Sequence, residues 1–258
     1  MRSGPRKGEN IAWVAEMLRQ ARRAKAKLVA FPENFTFFAE GGSAFRRGIE
    51  SVSGPTVTAL RHLARDEGLW VLAGGIPLWP GRATSARRAT NASLLIDGAG
   101  RIKARYDKIH LFDATVRGDR SYQESADFVA GKKPVLAKTP WGKLGMSVCF
   151  DLRFPDLYRS YSARGAAMLS IPAAFTKVTG AAHWDVLTRA RAVENQCFVL
   201  CPAQWGKPQP GRETYGHTRI IDPWGRVLAD AGPRGQALVV ADLDFAELKR
   251  VRAQLPVL

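Results

Sequence analysis

Three side chains, far apart in the chain, have the types needed to split an acyl bond. Cys149 closes the apolar run Gly145-Met146-Ser147-Val148, and Phe150-Asp151-Leu152-Arg153-Phe154-Pro155 leads away from it into a helix. A thiol where a strand stops, open at the sheet edge and facing backbone N–H groups, is in the setting that makes sulfur a nucleophile. A cysteine by itself behaves mostly as a small buried hydrophobe, so its company decides. Glu33 follows one apolar segment in Phe31-Pro32-Glu33-Asn34-Phe35, and Lys108 follows another in Tyr106-Asp107-Lys108-Ile109-His110. Taken singly, Glu33 reads as a turn carboxylate and Lys108 as a solvated cation. Brought together, the three would supply a base, an electrostatic clamp and a nucleophile.

All three fall at the ends of expected strands, where the loops of α/β sheets gather ligands. Ile11, Val14, Ala15, Leu18 and Ala21 recur at helical spacing, with Asn10 as N-cap. A strand is expected over 27–31, stopped by Pro32, then a helix over 55–67 closed by Gly68 and a strand over 70–74. Two hairpins follow from turn residues: 92–96 with 102–106 about Asp97-Gly98-Ala99-Gly100, and 218–221 with 227–229 about Asp222-Pro223-Trp224-Gly225. Between them come a strand over 143–150, a helix over 155–164, a strand over 167–171, a helix over 183–195 and a strand over 197–201. A last strand over 237–243 and a helix over 245–254 close the pattern, and 82–90 reads as a polar loop. Helices alternating with buried strands predict an α/β protein with mixed sheets, one domain over 1–258.

Composition narrows the class. With 46% hydrophobic and 24% charged residues the chain has an ordinary globular balance. No apolar run approaches the ~18–20 residues that span a bilayer, and residues 1–10 lack the apolar core of a secretory signal, so no membrane partner is expected. Three cysteines make no disulfide framework and point to a reducing cytoplasm; Cys197 and Cys201, four apart on one strand, read as core. The net charge of +16 is mostly arginine scattered among alanines, with pairs at Arg22-Arg23, Arg46-Arg47 and Arg87-Arg88. It reads as a solvated basic surface that attracts anionic substrates rather than as a nucleic-acid footprint. The four histidines lack metal-site spacing, so no metal is expected, and His110 and His183 read as structural hydrogen-bonders.

Phe31-Pro32-Glu33, then Tyr106-Asp107-Lys108-Ile109-His110-Leu111-Phe112-Asp113, then the segment around Cys149 resemble the three signature segments of the nitrilase superfamily of carbon–nitrogen hydrolases. The likeness extends through Gln123-Glu124-Ser125, Thr179–Trp184, Arg189–Gln196 and Tyr215-Gly216-His217, so it covers nearly the whole chain in order. It implies an αββα sandwich that needs no cofactor, with Cys149 attacking a carbonyl, Glu33 as base, and Lys108 with the Phe150 backbone N–H holding the oxyanion. It also implies that Glu124 orients Lys108. Cys-Phe-Asp-Leu-Arg-Phe-Pro, where true nitrilases have Cys-Trp-Glu, resembles the Nit branch of amidases. That branch implies a small anionic amide as substrate, deaminated glutathione first, with α-ketoglutaramate or an N-carbamoyl compound as alternatives. Arg153 is then the candidate partner of a substrate carboxylate, and Phe175 and Thr176 candidate pocket walls. The likeness further implies a homodimer or larger homo-oligomer. Against the family pattern, the usual first strand and the extreme C-terminal tail are missing. Two other classes are set against this reading: a catalytically silent scaffolding relative, and a nucleic-acid binder driven by charge.

Overall fold

The strands Trp70–Leu78 and Thr90–Ile96 are buried almost throughout, so they need cover on both faces, and the chain supplies it as a stack of four layers. The computed structural model describes residues 1–39, 42–81, 88–209 and 211–257; most of the polar loop expected over 82–90 lies outside them. One sheet runs Leu28–Ala30, Trp70–Leu78, Thr90–Ile96, Ile102–Asp107; its first pair is parallel and the others antiparallel. The second sheet runs Val227–Asp230, Arg219–Ile221, Phe198–Cys201, Ala166–Ser170, Gly142–Met146, Val135–Thr139. Helices Lys7–Arg23 and Pro55–Glu67 pack together over the first sheet, with Leu18 and Leu60 in one core with Val71 and Leu94. Helices Pro155–Ser162 and Lys177–Asn195 cover the second. Between the sheets, Leu72, Leu95 and Tyr106 belong to one cluster with Leu144, Met146 and Met168. Each fully buried aliphatic side chain of this kind contributes ~1.5–3 kcal/mol. The architecture is an αββα sandwich.

Four expectations are corrected. The first helix starts at Lys7, and Asn10 lies inside it instead of capping it. Its buried amide donates to the carbonyls of Gly4 and Thr36 at 2.8 and 2.9 Å, tying the helix to the loop after Glu33. The polar first turn escapes an apolar-periodicity reading, although its Glu9 suits the helix N-terminus. The helix expected from His183 begins at Lys177, capped by Thr176, whose hydroxyl accepts from the Thr179 N–H at 3.3 Å. The strand leading to Cys149 stops at Met146, and Cys149–Arg153 is a 3₁₀ turn. Residues 237–243 join no sheet. They border an apolar slot of about 420 Å³ that Met17, Leu28 and Trp141 also line. None of Glu33, Lys108 and Cys149 lines this slot. Cys197 and Cys201 are buried, as expected. Among the described residues no helix is long and apolar enough to cross a membrane, and no group of His, Cys, Asp and Glu could hold a metal ion.

Candidate active site

Glu33 is aimed by the strand before it. The Phe31 N–H donates to the Leu72 carbonyl at 2.9 Å, Pro32 ends the ladder, and Asn34 turns at φ +59° with its N–H on the Gly75 carbonyl. The Glu33 carboxylate is buried and fully engaged: Oε1 accepts from Lys108 Nζ at 3.0 Å and Asn91 Nδ2 at 2.9 Å, and Oε2 from the Ala174 N–H at 2.9 Å. Gly75 sits at a bulge in its strand, where a Cβ would fall 2.1 Å from Asn91 Oδ1 and 3.0 Å from Glu33 Cγ. Gly75→Ala must therefore push Asn91 and Glu33 apart, and misplacement of about 1 Å costs on the order of 100-fold in rate. Steady-state kinetics should show that fall in kcat; an unchanged kcat would mean the pair has slack.

Lys108 is positioned by its N–H, which donates to the Asn91 carbonyl at 2.9 Å. Only 1% exposed, its ammonium lies 3.0 Å from Glu33 Oε1 and 2.8 Å from Glu124 Oε2. Glu124 is held in turn by the Phe112 N–H at 2.6 Å and Asn91 Nδ2 at 3.1 Å. Asn91 thus ties the two carboxylates together. Sequence reasoning missed it, although an amide within the apolar run Thr90–Ile96 needs buried partners and so signals a site.

Cys149 has φ +50°, a left-handed backbone that ordinarily costs a side chain ~1–3 kcal/mol. Two braces hold it there. Its N–H donates to the Pro172 carbonyl at 2.8 Å, and fully buried Asp151 accepts from the Val148 N–H at 2.8 Å. Asp151 also accepts from the Tyr106 hydroxyl at 2.7 Å and the His110 N–H at 3.0 Å, so one carboxylate joins the Cys149 turn to the lysine segment. Arg191 closes the far end, donating to the Leu152 carbonyl at 2.7 Å. The Phe150 N–H falls in the open first turn of the 3₁₀ segment, where no intrahelical acceptor is in reach.

Charge states follow from burial and neighbours. Burial pushes the Cys149 thiol well above its ordinary value; the Glu33 charge adds to this and Lys108 opposes it. Burial raises the Glu33 carboxyl too, but the Lys108 ammonium, a hydrogen bond with Cys149 and the Arg212 charge outweigh it and leave it below the usual range. Burial works against the Lys108 ammonium, yet Glu124 and Glu33 hold it above the normal lysine range. The resting site is a thiol, a carboxylate and an ammonium.

The structure brings Glu33, Lys108, Cys149 and Glu124 together around a cavity of about 230 Å³. Arg153, Phe175 and Thr176 are not on its wall. Arg153 stands 5.8 Å from the Phe150 ring and 5.2 Å from the Phe175 ring, beside His183 Nδ1 at 3.2 Å, and among the described residues no carboxylate pairs with it. Phe175 packs on Trp184, and the Thr176 hydroxyl is committed to its helix cap. Instead the wall carries Arg120 and Arg212, which the sequence reading passed over as two among many scattered arginines. His110 bonds Asp151 through Nδ1 at 2.7 Å and stacks on Phe154.

A two-sheet sandwich with a buried acid, amine and thiol at one cavity is the layout of a hydrolase of C–N bonds, and the chain's relatives agree. The Carbon-nitrogen hydrolase family model matches residues 3–253, and the chain belongs to this family. It is 43% identical over 258 residues to a deaminated glutathione amidase of Synechocystis sp., covering 99% of this chain and 93% of that one. Saccharomyces cerevisiae Nit3, a member of branch 10 of the nitrilase superfamily, superposes with a TM-score of 0.87 at 30% identity, covering 99% and 91% of the two chains. A mutant of the amidase from Nesterenkonia sp. AN1, solved after Michael addition of acrylamide at its active-site cysteine, gives 0.80 at 25% identity over 98% and 94%.

Proposed function

We propose that the protein is an amidase that hydrolyses a terminal amide of a small anionic compound, deaminated glutathione first, through a thioester on Cys149. The observation that carries this is the convergence of Glu33, Lys108 and Cys149 on one cavity wall, with Lys108 Nζ 3.0 Å from Glu33 Oε1. Glu33 takes the thiol proton as sulfur bonds to the amide carbon, and the carbonyl oxygen becomes an oxyanion facing Lys108 and the Phe150 N–H. Glu33 then passes that proton to the amine nitrogen, the C–N bond breaks, and the acyl group remains on sulfur. Water adds next, giving its proton to Glu33; the C–S bond breaks and the proton returns to sulfur. Glu124 orients Lys108 throughout.

Purified protein assayed side by side on deaminated glutathione, α-ketoglutaramate, an N-carbamoyl compound and a simple nitrile tests the reading. The first should turn over best with release of amine, and no turnover on any of them defeats the proposal. The pH profile tests the charge states. The base works ionised and its carboxyl is held down, so the acid limb of kcat/KM should lie below the ordinary glutamate value of 4.5. The nucleophile starts as a thiol, so no rise should occur near the ordinary thiol value of 9.0. A rise there would mean a thiolate mechanism without the base.

Two finer points belong to the same reading. The three cysteines are unpaired, which supports a reducing cytoplasm. Val178, Val186 and Val193 recur every two turns along one helix and are 42%, 60% and 50% exposed, which supports a homo-oligomer packed on that face.

A further inference from the structure

A carboxylate has roughly four acceptor sites, two on each oxygen, and at this site nearly all of them are taken. On Glu33, Oε1 accepts from Lys108 Nζ at 3.0 Å and Asn91 Nδ2 at 2.9 Å, while Oε2 accepts from the Ala174 N–H at 2.9 Å. On Glu124, Oε1 accepts from Lys108 Nζ at 3.0 Å and Asn91 Nδ2 at 3.1 Å. Its Oε2 accepts from Lys108 Nζ at 2.8 Å and the Phe112 N–H at 2.6 Å. Among the described residues, the two glutamates thus leave one acceptor site open, on Oε2 of Glu33. The hydrogen bond between Cys149 and Glu33 therefore falls on Oε2.

Asn91 closes one site on each carboxylate, and its buried amide can face only one way. Its Oδ1 accepts no hydrogen bond among the described residues and lies toward Gly75, where a Cβ would fall 2.1 Å from it. Turned over, the amide would press Oδ1 against two carboxylate oxygens with no proton between them.

We infer that Asn91 is a positioning residue that routes the proton of the reaction. Its two N–H groups bar Oε1 of both glutamates, so the thiol proton passes to Glu33 Oε2 as the S–C bond forms. The same oxygen returns it to the departing nitrogen, and Glu124 takes no part in the transfer. The inference rests on the amidase function proposed above, but alkylation of Cys149 by iodoacetamide, followed by mass spectrometry, tests it without turnover. There the sulfur bonds to carbon, iodide leaves and Glu33 takes the proton, so the rate rises as Glu33 ionises. The groups facing Glu33 are Lys108, Cys149 and the Arg212 charge; Glu124, Arg120, Tyr122 and Asp127 border the same cavity. Asn91→Asp keeps the shape, loses the N–H groups and sets a third carboxyl beside one ammonium. The acid limb of alkylation should then move up by about one pH unit or more. In turnover its kcat should fall about 100-fold with KM nearly unchanged. Glu124→Gln leaves Asn91 on Glu33 and should keep the limb at or below the parent's. Asn91→Asp/Glu124→Gln restores the parent's count of charges, and it decides the matter if the single variant fails to fold. Its limb should stay raised, because the new carboxylate faces Glu33 with no proton to donate. A limb at the parent's position in either Asn91 variant overturns the assignment, and so does a limb raised by Glu124→Gln. A parent that alkylates with the expected shifts yet hydrolyses no amide would instead refute the amidase reading and leave the proton route standing.

Discussion

Cys149→Ala should melt like its parent and release amine from no amide, a loss on the order of 10⁴-fold or more. Alanine keeps the Cβ and the braced backbone, so Pro172 and Asp151 still hold the turn. What disappears is the atom that forms the acyl bond. Glu33 could then activate only water, which must attack the unactivated amide directly. Serine is no substitute: a hydroxyl is harder to deprotonate than a thiol, and Glu33, held below the usual carboxyl range, is too weak a base for it. The check is amine release by the purified variant, with mass spectrometry after an acid quench to look for acyl-enzyme in the parent. Turnover within tenfold of the parent in Cys149→Ala would end the nucleophile assignment.

Lys108→Met should be damaging twice over. Removing the ammonium leaves Glu33 and Glu124 facing each other in a buried site. Breaking a buried pair typically costs ~3–5 kcal/mol, which in a chain of this size lowers Tm by about 10 °C. The same change removes an oxyanion donor, worth ~3–4 kcal/mol of transition-state stabilisation, or 10²–10³ in kcat. It also raises the Glu33 carboxyl, because the ammonium is the strongest influence holding it down. The two effects separate in the double variant Lys108→Met/Glu124→Gln: deleting one surplus charge should recover much of the Tm and none of the rate. Recovered activity in the double variant would reduce Lys108 to a structural cation.

The meeting of Glu33, Lys108 and Cys149 at one cavity was legible because each stands in a short segment whose flanks are distinctive: Pro before Glu33, Tyr-Asp before Lys108, and Phe-Asp after Cys149. Hairpins and buried strands were legible from turn residues and apolar runs, down to the Asp97–Gly100 turn. The first helix began too late because periodicity counts apolar residues, and its first turn has none. Residues 237–243 have the composition of a strand, but propensity records fit to a pleated surface and not the presence of an edge to pair with. Asn91 and the two arginines were hidden for a related reason. Their roles depend on which neighbours the fold delivers: Asn91 acquires meaning when Glu33 and Glu124 arrive from both sides. Arg153 drew attention by lying close to Cys149 in sequence, yet the arginines on the cavity wall come from segments 29 residues before and 63 after Cys149.

The unpaired sulfurs inside the sandwich give the protein a particular vulnerability to oxidants. Burial raises the Cys197 thiol to about 12 and the Cys201 thiol beyond that, so neither offers thiolate to peroxide while the sandwich is closed. Opening returns both to ordinary reactivity, so damage at these positions will follow the fraction of time the molecule spends open. Shelf life in air is thereby coupled to conformational stability, and a bound ligand that favours the closed form protects thiols it never touches.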